Sequence, residues 1–143
     1  MDEPYQGGCI CGSVRYRATG EPLRVTICHC TWCQRRTGSA FGTECVFREE
    51  QIEFFGDSTR DYRHTSDESG RWLDVRFCQE CGTNLGFTLQ ALPGIRTLAA
   101  GTLDEPSRIS ASRQPFRHVF TRSKRDWSDI PDGVDRYERH FRP

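Results

Sequence analysis

What this chain lacks narrows its function before any motif is read. It carries no net charge, because 20 Lys and Arg are balanced by 20 Asp and Glu. A dedicated nucleic-acid binder, or a protein held to membranes by basic clusters, carries an excess of one sign, so both classes are disfavoured. No apolar run approaches the ~20 residues that span a bilayer. Residues 1–5 show neither a basic nor an apolar leader region, so the expectation is a cytoplasmic protein without a secretory signal. A glycine-rich phosphate loop is missing, and no Ser-His-Asp order can be argued. Helical periodicity is sparse, and repeats, low-complexity tracts and linkers are all absent. For 143 residues the expectation is therefore one domain over 1–143, with a core over about 5–128.

Cysteine is what the chain has instead. Seven of eight fall into three groups: Cys9 and Cys11, then Cys28, Cys30 and Cys33, then Cys78 and Cys81. In a compartment that keeps thiols reduced, disulfides are disfavoured. Cys9 and Cys11 are also two residues apart, which in extended chain puts their Cα atoms near the upper limit for bridging. Two thiolates on one metal need only approach to ~3.8 Å, from a metal–sulfur bond of ~2.3 Å and a tetrahedral angle. Metal is the stronger reading. Two doublets make one four-sulfur site, and the triplet is left one ligand short. A zinc with three protein ligands keeps a position for water or substrate, the usual layout of a catalytic zinc. Iron–sulfur ligation is disfavoured because no third doublet completes a second four-cysteine set. The rival reading recruits Cys45 to close the triplet site. Cys45 lies among Phe41, Thr43 and Phe47 on a face that reads as buried, where a free cysteine is ordinarily a small core residue.

Local patterns favour strands. Alternation or β-branched and aromatic enrichment marks residues 14–18, 40–48, 52–55, 60–64, 72–78, 85–89 and 95–99, with turn signals at 56–58, 67–70 and 92–94. One helical turn is expected over 31–36, with Thr31 as its cap. From Pro106 onward the chain is irregular and rich in Arg, Pro and aromatics, and is expected to wrap over the sheet rather than extend it. Charge is uneven, acidic over 44–80 and basic over 108–125, which reads most simply as two solvated faces.

Period-two alternation puts the sulfurs of Cys28 and Cys30 on one side and His29 on the other. His29 is therefore expected to bond a neighbour rather than act as a fourth ligand. Gly82 after Cys81 permits positive φ, so that backbone N–H groups turn toward the sulfurs. Gln34, Arg35, Arg36, Thr37 and Ser39 follow the triplet directly. Arg35 or Arg36 is a candidate for a substrate carboxylate, since a guanidinium fork binds one bidentately; the competing reading packs both on Asp or Glu. Thr37 and Ser39 more often bond backbone. His118 is a candidate proton shuttle, against the plainer reading of a core or surface histidine. His64 and His140 carry no signal, and Trp72 and Trp127 read as core or lid residues.

Three stretches, 7–12 around Cys9 and Cys11, 28–41 from Cys28 to Phe41, and 77–85 around Cys78 and Cys81, resemble the glutathione-dependent formaldehyde-activating enzyme family, also called the centromere-protein-V/formaldehyde-activating domain. Residues 100–104, His118 and Trp127 are similar to its C-terminal half. The resemblance implies a mainly β, single-domain β-tent zinc-binding fold, shared with Rab-exchange-factor-like proteins. It implies two zinc ions, a structural one on Cys9, Cys11, Cys78 and Cys81 and a catalytic one on Cys28, Cys30 and Cys33. The activity it implies is a carbon–sulfur lyase that joins formaldehyde to glutathione, giving S-hydroxymethylglutathione. Candidate substrate contacts are Gln34, Arg35, Arg36 and Ser39. The partners expected are a small thiol, glutathione first, and an aldehyde, without membrane; no oligomeric state is implied. Two alternatives remain. One is a non-catalytic zinc module for a protein or nucleic-acid partner. The other is a methionine-sulfoxide-reductase-like enzyme, which needs a reactive cysteine outside the groups, and only Cys45 is left for that.

Overall fold

The computed structural model describes residues 3–140, so both outer ends of the expected 1–143 domain lie outside the described residues. Eleven strands are present among them: β1 (Tyr5–Gly8), β2 (Arg15–Ala18), β3 (Arg24–Cys28), β4 (Gly42–Arg48), β5 (Ile52–Phe55), β6 (Thr59–Thr65), β7 (Trp72–Cys78), β8 (Asn84–Leu89), β9 (Ile95–Ala99), β10 (Phe116–Val119) and β11 (Asp135–Arg136). One α-helix, α1 (Thr31–Thr37), and four short 3-10 turns accompany them. β1, β2 and β5 form a small antiparallel sheet. The other eight strands form the second sheet, in the order β11-β10-β3-β4-β9-β8-β7-β6. Among the described residues no helix is long and apolar enough to cross a membrane.

The two sheets share one core. Tyr5, Tyr16 and Ala18 from the small sheet pack with Val25, Cys45, Phe47, Leu85 and Leu98 from the large one. Along β4 the expected alternation holds and then goes further. Cys45 and Phe47 enter the core, while Glu44 and Val46 face a cleft on the other side and are also buried. A strand covered on both faces loses the polar-out half of its pattern.

Three expectations need correction. The C-terminal segment does extend the sheet, because β10 pairs in parallel with β3 from Phe116–Val25 to Val119–Cys28. A parallel partner ninety residues away announces itself by no hairpin turn, and only four residues carry the pairing, too few for a periodic signal. Trp127 is 72% exposed and belongs to neither core nor cleft wall. Finally, Cys30 rather than Thr31 caps α1. Its backbone is extended (φ −65°, ψ 153°) and its sulfur accepts the Cys33 N–H, so Thr31 is already the first helical residue. Gly38, at φ 69°, ends the helix with its N–H on the Gln34 carbonyl.

A bulge in β8 also matters for the site. Arg76 opposes Gly86 and Phe77 opposes Asn84, so Leu85 is the extra residue. Gly86 sits at φ 117°, and a Cβ there would lie 2.0 Å from the Thr97 carbonyl oxygen. Only glycine fits. The bulge lets Leu85 enter the core while Phe87, two residues on, lines the cleft on the opposite face.

Candidate metal centre

Two cysteine clusters stand in the fold. In the first, the loop after β1 supplies Cys9 and Cys11, the last residue of β7 is Cys78, and the turn from β7 to β8 supplies Cys81. Their four sulfurs lie within 4.8 Å of one another, with Cys9 to Cys11 at 3.6 Å and Cys11 to Cys78 at 3.8 Å. These separations match the ~3.8 Å expected of thiolates on a tetrahedral zinc. Gly82 takes positive φ (79°) as expected. The Thr83 hydroxyl, 3.1 Å away, and the N–H groups of Thr83 and Cys11 hold the Cys81 thiol down to about 5. Donors aimed at sulfur favour the thiolate a metal requires.

The second cluster is built by the end of β3 and the start of α1. Cys28 is the last residue of β3, Cys30 the helix cap and Cys33 the third helical residue, and their sulfurs also lie within 4.8 Å of one another. Among the described residues no further Cys, His, Asp or Glu joins them. Bonding from the Cys28 and Cys33 sulfurs, and from the helix N–H groups, pulls Cys30 down to about 3. Its sulfur also sits at the positive end of a helix. The same sharing raises Cys28.

His29 turns away, as the alternation predicts. It is fully buried, with Nε2 2.8 Å from His118 Nδ1 and the rings stacked at 5.1 Å. Burial, then the charge of His29, pushes His118 down to about 4. Cys45 lies in the core, where burial pushes its thiol up to about 12.

Arg36 packs against the rings of Trp32 (5.1 Å) and Phe87 (5.0 Å), which meet edge-to-face beside it. Its Nη2 donates to Glu44 Oε1 at 2.6 Å and lies 3.7 Å from the Cys33 sulfur. Glu44 Oε2 accepts from the Thr97 hydroxyl at 3.1 Å. Arg36 Nε and Nη1 are buried with no partner, so the guanidinium rests on Glu44 for its charge balance.

The triplet opens onto a cleft of about 1040 Å³. Trp32, Phe87 and Leu89 supply apolar wall, and Arg24, Arg35 and His64 supply polar groups. Arg24 is half-buried, and burial, then neighbouring Arg117, lowers its pKa. Of the polar residues expected near substrate, Arg35 lines the cleft. Gln34 commits its amide nitrogen to the carbonyls of His29 and Ser123. Arg36 is held by Glu44, and Ser39 is exposed, with its N–H on the Thr37 hydroxyl. His64, without a signal in the sequence, stacks on Trp32 at 5.3 Å. The turn signal at 67–70 marks the β6–β7 hairpin that carries His64, but its contact with Trp32 on α1 joins segments that no local pattern relates. Arg24 was equally unmarked, on a strand that was not anticipated.

Residues 4–123 match the family model described as glutathione-dependent formaldehyde-activating enzyme. The chain is also similar in fold to a protein from Rhodobacter sphaeroides of known crystal structure, with a TM-score of 0.55 and 19% sequence identity over 69% of this chain and 87% of that one. That likeness bears out the mainly β, single-domain fold. No curated protein matches the chain.

Proposed function

The chain belongs to the glutathione-dependent formaldehyde-activating enzyme family, and on that premise we propose that it is a zinc-dependent carbon–sulfur lyase joining a thiol, glutathione first, to formaldehyde or another small aldehyde. One observation carries the reading. Three sulfurs gather on the wall of a large cleft with no fourth protein ligand among the described residues, while the other cluster has four sulfurs.

In this reading Cys9, Cys11, Cys78 and Cys81 hold a structural zinc, and Cys28, Cys30 and Cys33 hold a second. Zinc on three thiolates, when bound, supplies an open position at which an incoming thiol loses its proton near neutrality. The chain's own residues prepare that position. The Cys33 N–H, 3.2 Å from the Cys30 sulfur, and the Arg36 guanidinium, 3.7 Å from the Cys33 sulfur, stabilise the Cys30 and Cys33 thiolates by hydrogen bonds to the charged form. Glu44 occupies Arg36 and Glu68 pairs with Arg122, while Arg24, Arg35 and Arg71 line the cleft as candidate cations for a substrate carboxylate. Trp32 and Phe87 exclude water beside the sulfurs. The net step forms a sulfur–carbon bond, opens the carbonyl double bond, and returns the thiol proton to the aldehyde oxygen.

The test is zinc content together with glutathione–formaldehyde exchange, followed by NMR. Wild type is expected to hold two equivalents of zinc and to accelerate exchange. Cys30→Ser is expected to lose one equivalent and the acceleration while keeping its fold. Cys81→Ser is expected to lose the other equivalent and unfold, because structural zinc contributes folding free energy directly. Exchange retained in Cys30→Ser overturns the proposal.

A further inference from the structure

The cleft has an apolar arm that formaldehyde does not need. It starts at Trp32, next to Cys33, which stacks on His64. His64 stands opposite Leu73 on β7, and Leu73 stands opposite Leu89 on β8. Ile95 begins the neighbouring strand β9, and Leu92 lies in the turn before it. Leu73, Leu89, Leu92 and Ile95 all line the cleft and are only half-buried. None belongs to either packed apolar cluster of the protein. So a row of large aliphatic side chains, continuous with the cysteine triplet through Trp32, is packed into neither cluster among the described residues.

We propose that this arm binds the hydrocarbon substituent of the aldehyde, so that the carbonyl substrate is a medium-chain or aryl aldehyde rather than formaldehyde. The inference rests on the thiol–aldehyde reading above and names its second reactant. The aldehyde carbon has to meet the thiol sulfur at the triplet, and whatever that carbon carries then extends along the adjoining wall. Strands β7, β8 and β9 set the arm's width at ~10 Å from their ~4.8 Å spacing, room for an alkyl chain of roughly eight carbons. The Gly86 bulge serves the same end, since it brings Phe87 to the cleft face between the triplet and the arm. Chemically the step is the addition already described: the S–H adds across C=O, with no oxidant or reductant.

Two glutathione thioethers, S-methylglutathione and S-octylglutathione, test the arm by calorimetry on the zinc-loaded protein, because they carry the substituent without reacting. S-octylglutathione is expected to bind at least about tenfold tighter, the gain from about two well-buried methylenes. Leu73→Ser/Leu89→Ser is expected to abolish most of that difference, with Leu89→Ser alone as the milder variant and circular dichroism as the check on folding. In exchange assays the ratio of kcat/KM for octanal to that for formaldehyde is expected to fall in the same variants. Equal affinity for the two thioethers, or no binding of either while formaldehyde exchange proceeds, overturns the apolar arm and leaves the thiol–aldehyde reading standing. If neither thioether binds and no aldehyde exchanges, both fall.

Discussion

Replacing Glu44 by Gln is expected to destabilise this protein far more than an ion-pair deletion ordinarily does. The Glu44 and Arg36 side chains are 2% and 6% exposed, and their closest N–O separation is 2.6 Å. Surface pairs such as Arg63 with Asp74, where Arg63 is 56% exposed, are worth at most about 1 kcal/mol. Removing one member of a buried pair instead leaves an uncompensated charge and costs about 3–5 kcal/mol. Here the abandoned partner is a guanidinium whose Nε and Nη1 already lack acceptors and which packs against two aromatic rings, away from water. In a domain of this size each kcal/mol moves Tm by ~2–4 °C, so the shift is roughly 6–20 °C. Gln is chosen because its carbonyl oxygen still accepts from the Thr97 hydroxyl, which isolates the charge. Arg36→Met/Glu44→Gln then removes the stranded cation and is expected to recover much of the loss. Urea denaturation of the four proteins, at fixed zinc concentration, closes the cycle. A loss below about 1 kcal/mol for Glu44→Gln, or a double variant less stable than the sum of the singles, refutes the reasoning. The first result would also return Arg36 to the role of a substrate-facing cation that the sequence alone suggested for it.

The other predictions are simpler. His118 is held at about 4, against an ordinary value of 6.5, so the unfolded chain takes its proton first as pH falls; stability is lost between about 6.5 and about 4, by up to ~3 kcal/mol. Thermal melts of His118→Gln over that range are expected to show a shallower decline than wild type, and identical slopes would remove His118 from the account. Cys45→Ala is expected to keep the full zinc content and to lose about 1–2 kcal/mol from the small cavity it leaves; a missing equivalent of zinc would make Cys45 a ligand. Gly86→Ala is expected to cost more than about 2 kcal/mol, because positive φ and the Thr97 carbonyl both oppose a Cβ. Gly94→Ala, at φ 78° with open space around it, is expected to cost only about 1 kcal/mol. Similar melts for the two would contradict the bulge argument.

The two cysteine clusters were readable from spacing because each group is local. Period two places Cys28 and Cys30 on one side, one short turn returns Cys33, and counting leaves the two doublets for each other. Alternation likewise revealed β4 to β9 to within a residue or two, and β6 to β9 pair in succession through short turns. The strands that went unseen are short, and two of them, β3 and β10, meet only after about ninety residues of intervening chain. Their pairing is what brings His118 to His29, so the buried imidazole pair was visible only as a histidine turned away from the metal side.

Arg36 marks the boundary between the two kinds of knowledge. Its residue type and its place beside the triplet were apparent in the chain, but its charge could be assigned a role only once β4 was seen to carry Glu44 against α1. Cleft and apolar arm are likewise products of assembly. Leu73, Leu89 and Ile95 look like core residues in a list of strands, and only the stacking of the two sheets determines which faces they leave bare. Local chemistry, set by spacing along one backbone, was written in the sequence; charge pairing and exposure depend on which distant segments share a register, and that was decided by the packing.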